Sequence, residues 1–389
     1  MSQELVVAGG GIAGLAAALA ARRAGWEARV FEQAAEFSEA GAGIQLGPNV
    51  TRILREWKLL ESLEQSASHP ARLRARDGVD GSELASVSLG DLAKRYGAPY
   101  LALHRADLHA ALLQAARTAG VRLHAGRKVL DVTDAKTAVR VRPDAGPEVE
   151  ADALAGADGI WSTVRTVVCG DAAPQATGHL AYRGLLEGAD VPAAAQDVTV
   201  WLAPRMHLVS YPVRAGELVN VVCVVEGQVA GDPRSWDEAA VAAELERAVG
   251  NIAAEARDLL RAVPSWRLWA LHDREPVSRA GELASGRIAL LGDAAHPLLP
   301  YLAQGAGMAI EDARELERVL AVADERVLDV PTALKRYALS RWQRVAEVQR
   351  RSRRNGAIFH AAGPVRWARN VALRARGEKL LDQPWLYGA

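Results

Sequence analysis

The opening of the chain limits its fold more than any other stretch. Leu5-Val6-Val7-Ala8 is a short apolar run of the kind buried in a parallel strand. It leads straight into Gly9-Gly10-Gly11-Ile12-Ala13-Gly14, which satisfies the spacing GxGxxG through Gly9, Gly11 and Gly14. A helix of small residues, Leu15 to Arg23, follows and stops at Gly25; Ala28-Arg29-Val30-Phe31 reads as a second strand, with Glu32 and Gln33 at its end. Gly9 permits the tight turn, Gly11 lets backbone approach a pyrophosphate, and Gly14 allows close packing of helix on strand. Unpaired N–H groups at the helix N-terminus then face the phosphates. Glu32, 18 residues beyond Gly14, is placed to accept hydrogen bonds from an adenosine ribose, and an acid there favours FAD or NAD over NADP.

The 17 uncharged residues from Leu5 to Ala21 also have to be weighed as a targeting segment. Only Met-Ser-Gln-Glu precedes them, without the positive charge a signal peptide carries, and four glycines between Gly9 and Gly14 disfavour a spanning helix. No integral membrane association is expected. With 389 residues, two domains or one with a large insertion are expected. The 47 basic and 47 acidic residues balance, which gives no reason to expect nucleic acid as a partner. The cysteines, Cys169 and Cys223, lie far apart, so neither a disulfide framework nor a cysteine zinc cluster is expected, and a cytoplasmic location suits them. His104, His272 and His296 show no metal spacing, and no metal is expected.

Four later stretches read as parts of one site assembled from the whole chain. Gly41 to Asn49 (GAGIQLGPN) contains Gly43, Ile44 and Gln45 and leads into an amphipathic helix with Val50, Ile53, Leu54 and Trp57. Arg105 precedes a helix that Asp107 should cap. Leu154 to Arg165 carries Asp158-Gly159 between a strand end and a helix start. Residues 292–313 begin with Gly292-Asp293 and His296 and close with Glu311 and Asp312. Between Asp293 and Glu311 the segment is uncharged if His296 is neutral.

In this order, GxGxxG, the arginine before a helix, Asp-Gly and Gly-Asp, the motifs resemble those of the para-hydroxybenzoate hydroxylase type of flavoprotein monooxygenase, over nearly the full length. The branch it resembles most acts on salicylate, 3-hydroxybenzoate and 6-hydroxynicotinate. That resemblance implies an α/β fold: a GxGxxG Rossmann-like FAD-binding domain, discontinuous in sequence, with an inserted antiparallel β-sheet substrate domain and a C-terminal helical tail. The expected FAD-binding parts are 1–70, 99–172 and 273–330, with a substrate-domain excursion at 71–98, the substrate domain at 173–272 and the helical segment at 331–389. By the same resemblance Asp293 binds the ribityl chain, and Gly305-Ala306-Gly307-Met308 opens a helix facing the flavin pyrimidine. Arg105 binds FAD phosphates or flavin, Val129 meets the adenine through its backbone, and Asp158 is associated with both FAD and NAD(P)H. Without a second GxGxxG, NADH or NADPH would dock transiently.

The stretch from Gly178 to Trp269 alternates like strands, and His207, Val209 and Tyr211 share one face at period two. Relatives acting on hydroxybenzoates and hydroxynicotinate carry a histidine and a tyrosine at this spacing, over the substrate ring. The implied chemistry is oxygen transfer from a flavin C4a-hydroperoxide, formed with molecular oxygen, to a phenolic or hydroxy-heteroaromatic ring. His207 is the expected base or hydrogen-bond partner, and Tyr211 is expected to orient the ring. Gln45 and Gln304 would complete the pocket, and Arg183 is a candidate for a substrate carboxylate. Rival expectations are a same-fold flavoenzyme acting on a larger ring or quinone precursor, and a non-redox binding protein of the fold. The segment Lys335 to Gly356, with eight basic residues and one acid, reads as a solvated face with Trp342, Val345 and Val348 packing inward; a homodimer interface there is compatible with it.

Overall fold

Strand Glu4–Ala8 pairs in parallel with Glu27–Phe31 on one side and Ala153–Gly156 on the other, in the register Val7↔Val30 and Val7↔Ala155. Both faces of this centre are covered, which is why its residues are apolar without alternation. This computed structural model describes residues 3–38, 42–170, 172–188, 196–228, 236–323 and 328–388. Gly41, which opens the second glycine-rich stretch, lies outside the described residues. The chain divides into two units. The first comprises Met1–Ala40, Ala106–Gln175 and Asp273–Ser352; the second comprises Gly41–Arg105, Ala176–His272 and Arg353–Ala389.

In the first unit a six-stranded sheet runs in the order 284–285, 288–290, 153–156, 4–8, 27–31, 122–124. Helix Ile12–Arg23 crosses over between the first two strands in sequence, and its alanine-rich faces are buried from Ile12 to Ala21 save at Ala13. Small side chains let it lie close both to the sheet and to helix Gly305–Leu320. Leu5 to Ala21 is thus a strand, a turn and a crossover helix, and no helix among the described residues is long and apolar enough to cross a membrane.

The second unit is built on an eight-stranded sheet in the order 236–240, 266–273, 175–187, 218–226, 206–213, 198–203, 72–77, 83–88. The alternation from Gly178 onward corresponds to these strands, and Arg72–Asp77 extends the sheet by pairing in parallel with Val198–Ala203. Trp201, Met206, Leu208, Val221 and Cys223 form one apolar face, packed with Leu245, Val249, Ala256 and Leu260 of two short helices. On the far strands, Ala75, Leu84, Ala85 and Leu202 pack with Phe359, Leu373 and Leu381 of the C-terminal helices. Fully buried Asp77 anchors that packing by accepting hydrogen bonds from Arg366 through both oxygens (2.8 Å each) and from Asn370.

Two local expectations need correction. The helix after His104 begins at Arg105 itself, so Asp107 lies in its first turn and complements the helix dipole instead of capping it. Within the basic segment Val345 and Val348 are buried and Trp342 half-buried, but Arg341 is no part of a solvated face. Its guanidinium is buried against Glu311 (2.9 Å) and Asp312 (2.8 Å).

Candidate active site

The first unit presents two helix N-termini without a side-chain cap, each fronted by glycine. Gly11 caps helix Ile12–Arg23 with ordinary extended backbone (φ −74°, ψ −171°), and a Cβ built on it would meet nothing within 4 Å. Its neighbours are the opposite case. Gly9, at φ +100°, would push a Cβ to 2.3 Å from the Ala157 oxygen, and Gly14 would push one to 1.9 Å from the Gly9 oxygen. Two glycines therefore permit the packing, and the third keeps space open before unpaired N–H groups. That is the cradle a pyrophosphate requires. Ile12 is buried and Ala13 half-buried just inside the helix. Helix Gly305–Leu320 repeats the arrangement: Gln304 is its N-cap without a side-chain cap bond, Gly305 faces open space, and Gly307 and Met308 are buried behind half-buried Ala306.

Glu32 accepts from the Gly10 N–H (2.5 Å) and the Ala34 N–H (2.7 Å), which holds the loop and fixes the carboxylate at the end of its strand. Gln33 is exposed and Val129 buried at the start of its strand. Asp158 accepts from the Ser162 hydroxyl (2.5 Å) and from the N–H groups of Thr163 and Val164, so its carboxylate caps helix Thr163–Cys169. Burial raises its pKa against the lowering effect of those bonds. Gly292 is buried at φ +56°, where a Cβ would lie 2.8 Å from that of Ala13, and Asp293 beside it is exposed. Both helix termini and the exposed carboxylate suit a flavin dinucleotide.

The Gly292 turn is held by a network centred on Asp312. This fully buried carboxylate accepts from Gly292 N–H (3.1 Å), His296 Nε2 (2.6 Å) and Arg341 Nε (2.8 Å). Burial by itself would raise its pKa, but His296, Arg341 and these hydrogen bonds outweigh burial and hold it at about 2.

In the second unit, one sheet face carries the expected reacting groups in rows. His207 stands opposite Val224, Val209 opposite Val222, and Tyr211 opposite Asn220. Tyr211 is four positions beyond His207, about 13 Å along the strand. At the Tyr211 end, Gly43 N–H donates to Asn220 Oδ1 (2.7 Å), and Tyr100 hydroxyl donates to Gln45 Oε1 (2.6 Å). Gln45 also hydrogen-bonds Tyr211, whose phenol pKa is pushed up by burial. Gly43 is required there, since a Cβ would come within 2.5 Å of the Tyr211 ring. Because Asn220 Oδ1 is the acceptor, Nδ2 points elsewhere; it is buried and has no hydrogen-bond partner among the described residues. Ile44 lies between Gly43 and Gln45 on the same strand. Arg183, in the Val209 row, stacks its guanidinium 4.4 Å above the Trp269 ring. Arg105 is half-buried, and its N–H donates to the Ala42 oxygen (2.8 Å).

His207 belongs to a different cluster. Its Nδ1 lies 2.9 Å from His360 Nε2, and its ring meets Phe359 edge-on. Burial, then His360 and His179, hold its pKa well below the usual histidine value, so the imidazole is neutral. The structure thus brings Tyr211 and Gln45 together and gives His207 separate neighbours. Sequence reasoning missed Tyr100, Asn220, His360 and Asp312. For Asn220 a signal existed, because strand alternation in Leu218–Glu226 puts a lone amide among valines.

The FAD binding domain family matches residues 2–352. The chain is 40% identical to 3-amino-4-hydroxybenzoate 2-monooxygenase PtmB3 of Streptomyces platensis, covering 99% of this chain and 96% of that one. It is 38% identical to 3-hydroxybenzoate 6-hydroxylase of Polaromonas naphthalenivorans, over 99% and 95%. Among solved structures, Klebsiella pneumoniae HpxO complexed with FAD and uric acid superposes with a TM-score of 0.85 at 27% identity, over 97% and 94%.

Proposed function

The chain belongs to the FAD binding domain family, and on that premise we propose that it hydroxylates a small, carboxylated phenol or hydroxy-heteroaromatic ring. It is an FAD-dependent aromatic monooxygenase that consumes NADH or NADPH. Bound FAD supplies the route by which nicotinamide electrons reach molecular oxygen, so that one oxygen atom goes to the ring and the other leaves as water. Gly9, Gly11, Ile12, Ala13 and Gly14 hold the pyrophosphate, and Glu32 and Gln33 hold the adenosine ribose. Gly292, Asp293 and Gly305 to Met308 hold the ribityl and pyrimidine parts. Val129 and Asp158 complete the first unit's contacts with the cofactor, Asp158 through the turn that it caps.

The observation that carries the substrate class is the polar cluster around Tyr211. A buried phenol, Gln45, Tyr100 and the Asn220 amide lie beside an apolar row, Val209 and Val222, with the Arg183 cation in it. A ring lying over that row would keep its faces on valine and its oxygens at the two polar ends. Asn220 Nδ2 donates to a substrate oxygen, and Arg183 neutralises the carboxylate. Neutral His207 accepts the hydrogen bond of the ring hydroxyl, drawing the proton away so that the carbons ortho and para to it become electron-rich.

The test is oxidation of NADH and of NADPH by FAD-loaded protein against a panel of hydroxybenzoates, aminohydroxybenzoates and hydroxypyridine carboxylates. A several-fold stimulation by one of them is expected. In Tyr211→Phe, loss of one buried hydroxyl bond worth about 1–3 kcal/mol should lower kcat/KM for that ring roughly 5- to 150-fold. Flavin binding should be unchanged. No stimulation by any panel member would sink the small-ring reading and favour larger rings.

A further inference from the structure

At the His207 end of the second unit's sheet, three side chains from three elements converge. His179 and Glu226 face each other across paired strands in the register His179↔Glu226, and His360 directly follows helix Val330–Phe359. One ligand atom from each, two imidazole nitrogens and a carboxylate oxygen, lies within 4.8 Å of the other two. We infer that His179, His360 and Glu226 form a binding site for a divalent transition-metal ion, Zn2+ in the first instance, with water completing the coordination.

Two imidazoles and one carboxylate suit borderline cations such as Zn2+ and disfavour Mg2+ and Ca2+, which take oxygen ligands. Tetrahedral ligands bonded at about 2.0–2.1 Å stand about 3.3 Å apart, so the present set is open and must draw in. Glu226 is the member able to move. It is exposed, and its ion pair with Arg205 (3.3 Å, side chains 46% and 75% exposed) is solvent-screened and holds it weakly. His360 is fixed. Its N–H donates to Gly356 O (3.1 Å), its carbonyl accepts from Arg205 N–H (2.9 Å), and its ring packs 5.0 Å from that of His179.

Metal-bound imidazoles nearly always engage a partner through the second ring nitrogen. His360 has that partner in His207, so it would ligate through Nδ1 while its Nε2–H donates to His207 Nδ1. An ion bound here therefore fixes the His207 proton on Nε2 and withdraws from that ring the acceptor role that it has toward the substrate hydroxyl in the metal-free protein. The site itself stands whether or not His207 meets substrate.

The test uses untagged, FAD-loaded, chelator-washed protein titrated with Zn2+ by calorimetry, with Co2+ as a spectroscopic probe. One equivalent should bind, and His179→Ala and Glu226→Gln should each weaken it at least about 10-fold. Flavin absorbance should stay unchanged, and because Glu226 is exposed its variant tests the site without threatening the fold. No binding at about 1 mM, or equal affinity in wild type and both variants, would overturn the inference; neither result depends on catalysis.

Discussion

Gly11→Asp is expected to abolish flavin binding while leaving the protein folded. The position has ordinary extended backbone and open space where a Cβ would go, so the side chain costs no strain. Aspartate is moreover a favoured N-cap, and the apoprotein should melt at the same temperature or slightly higher. The new carboxylate occupies the ground of the pyrophosphate and is charged alike. One such charge pair at 4 Å opposes binding by about 4 kcal/mol at an effective dielectric of 20, or roughly three orders of magnitude in Kd. Flavin titration and a thermal melt check both halves. A variant that keeps yellow, stoichiometric flavin would place the dinucleotide elsewhere. Gly14→Asp is a poor substitute, because its Cβ would strike the Gly9 oxygen and unfolding would mask the result.

The second large effect belongs to Asp312. Asp312→Ala strips the acceptor from buried Arg341 Nε and from Gly292 N–H, leaving the interior guanidinium with Glu311 as its one remaining carboxylate partner among the described residues. Such losses run to about 3–5 kcal/mol. The Gly292 turn, which carries Asp293, should loosen with it and flavin affinity should fall. Because the folded carboxyl titrates at about 2, below its ordinary 3.8, its contribution is fully present above pH 3.8 and is lost as pH falls through 2. The gap corresponds to about 2 kcal/mol. Asp312→Asn should lack that acid-side decline, and the wild-type and variant curves of denaturation midpoint against pH should converge toward pH 2. Parallel curves would show that folding does not shift the pKa of this carboxyl.

How much of this was legible in the sequence depends on how local the constraint is. Gly9 and Gly14 do their work against each other, five residues apart, so their spacing alone announces the turn. The alternation of His207, Val209 and Tyr211 announces a strand face in the same way. Partners across that face were hidden. Asn220 is set opposite Tyr211 by a hairpin register, and His360 reaches His207 from 153 residues away. The Asp107 misreading arose because a cap was assigned by residue type; the chain passes from strand Leu101–His104 straight into the helix at Arg105. Arg341 looked like one more solvated arginine for a related reason. Only the packing of its helix against Gly305–Leu320 reveals that two carboxylates wait for it.

The central claim, that this protein inserts one atom of molecular oxygen into an aromatic ring, is tested most directly by turnover under heavy-isotope O2. FAD-loaded protein, reduced nicotinamide and the most stimulating hydroxylated aromatic acid would be incubated together and the product weighed. The account predicts a product heavier than its substrate by one oxygen atom, that atom carrying the heavy label. Nicotinamide oxidation with hydrogen peroxide as the sole product from every ring tried, or an added oxygen drawn from water, would contradict it.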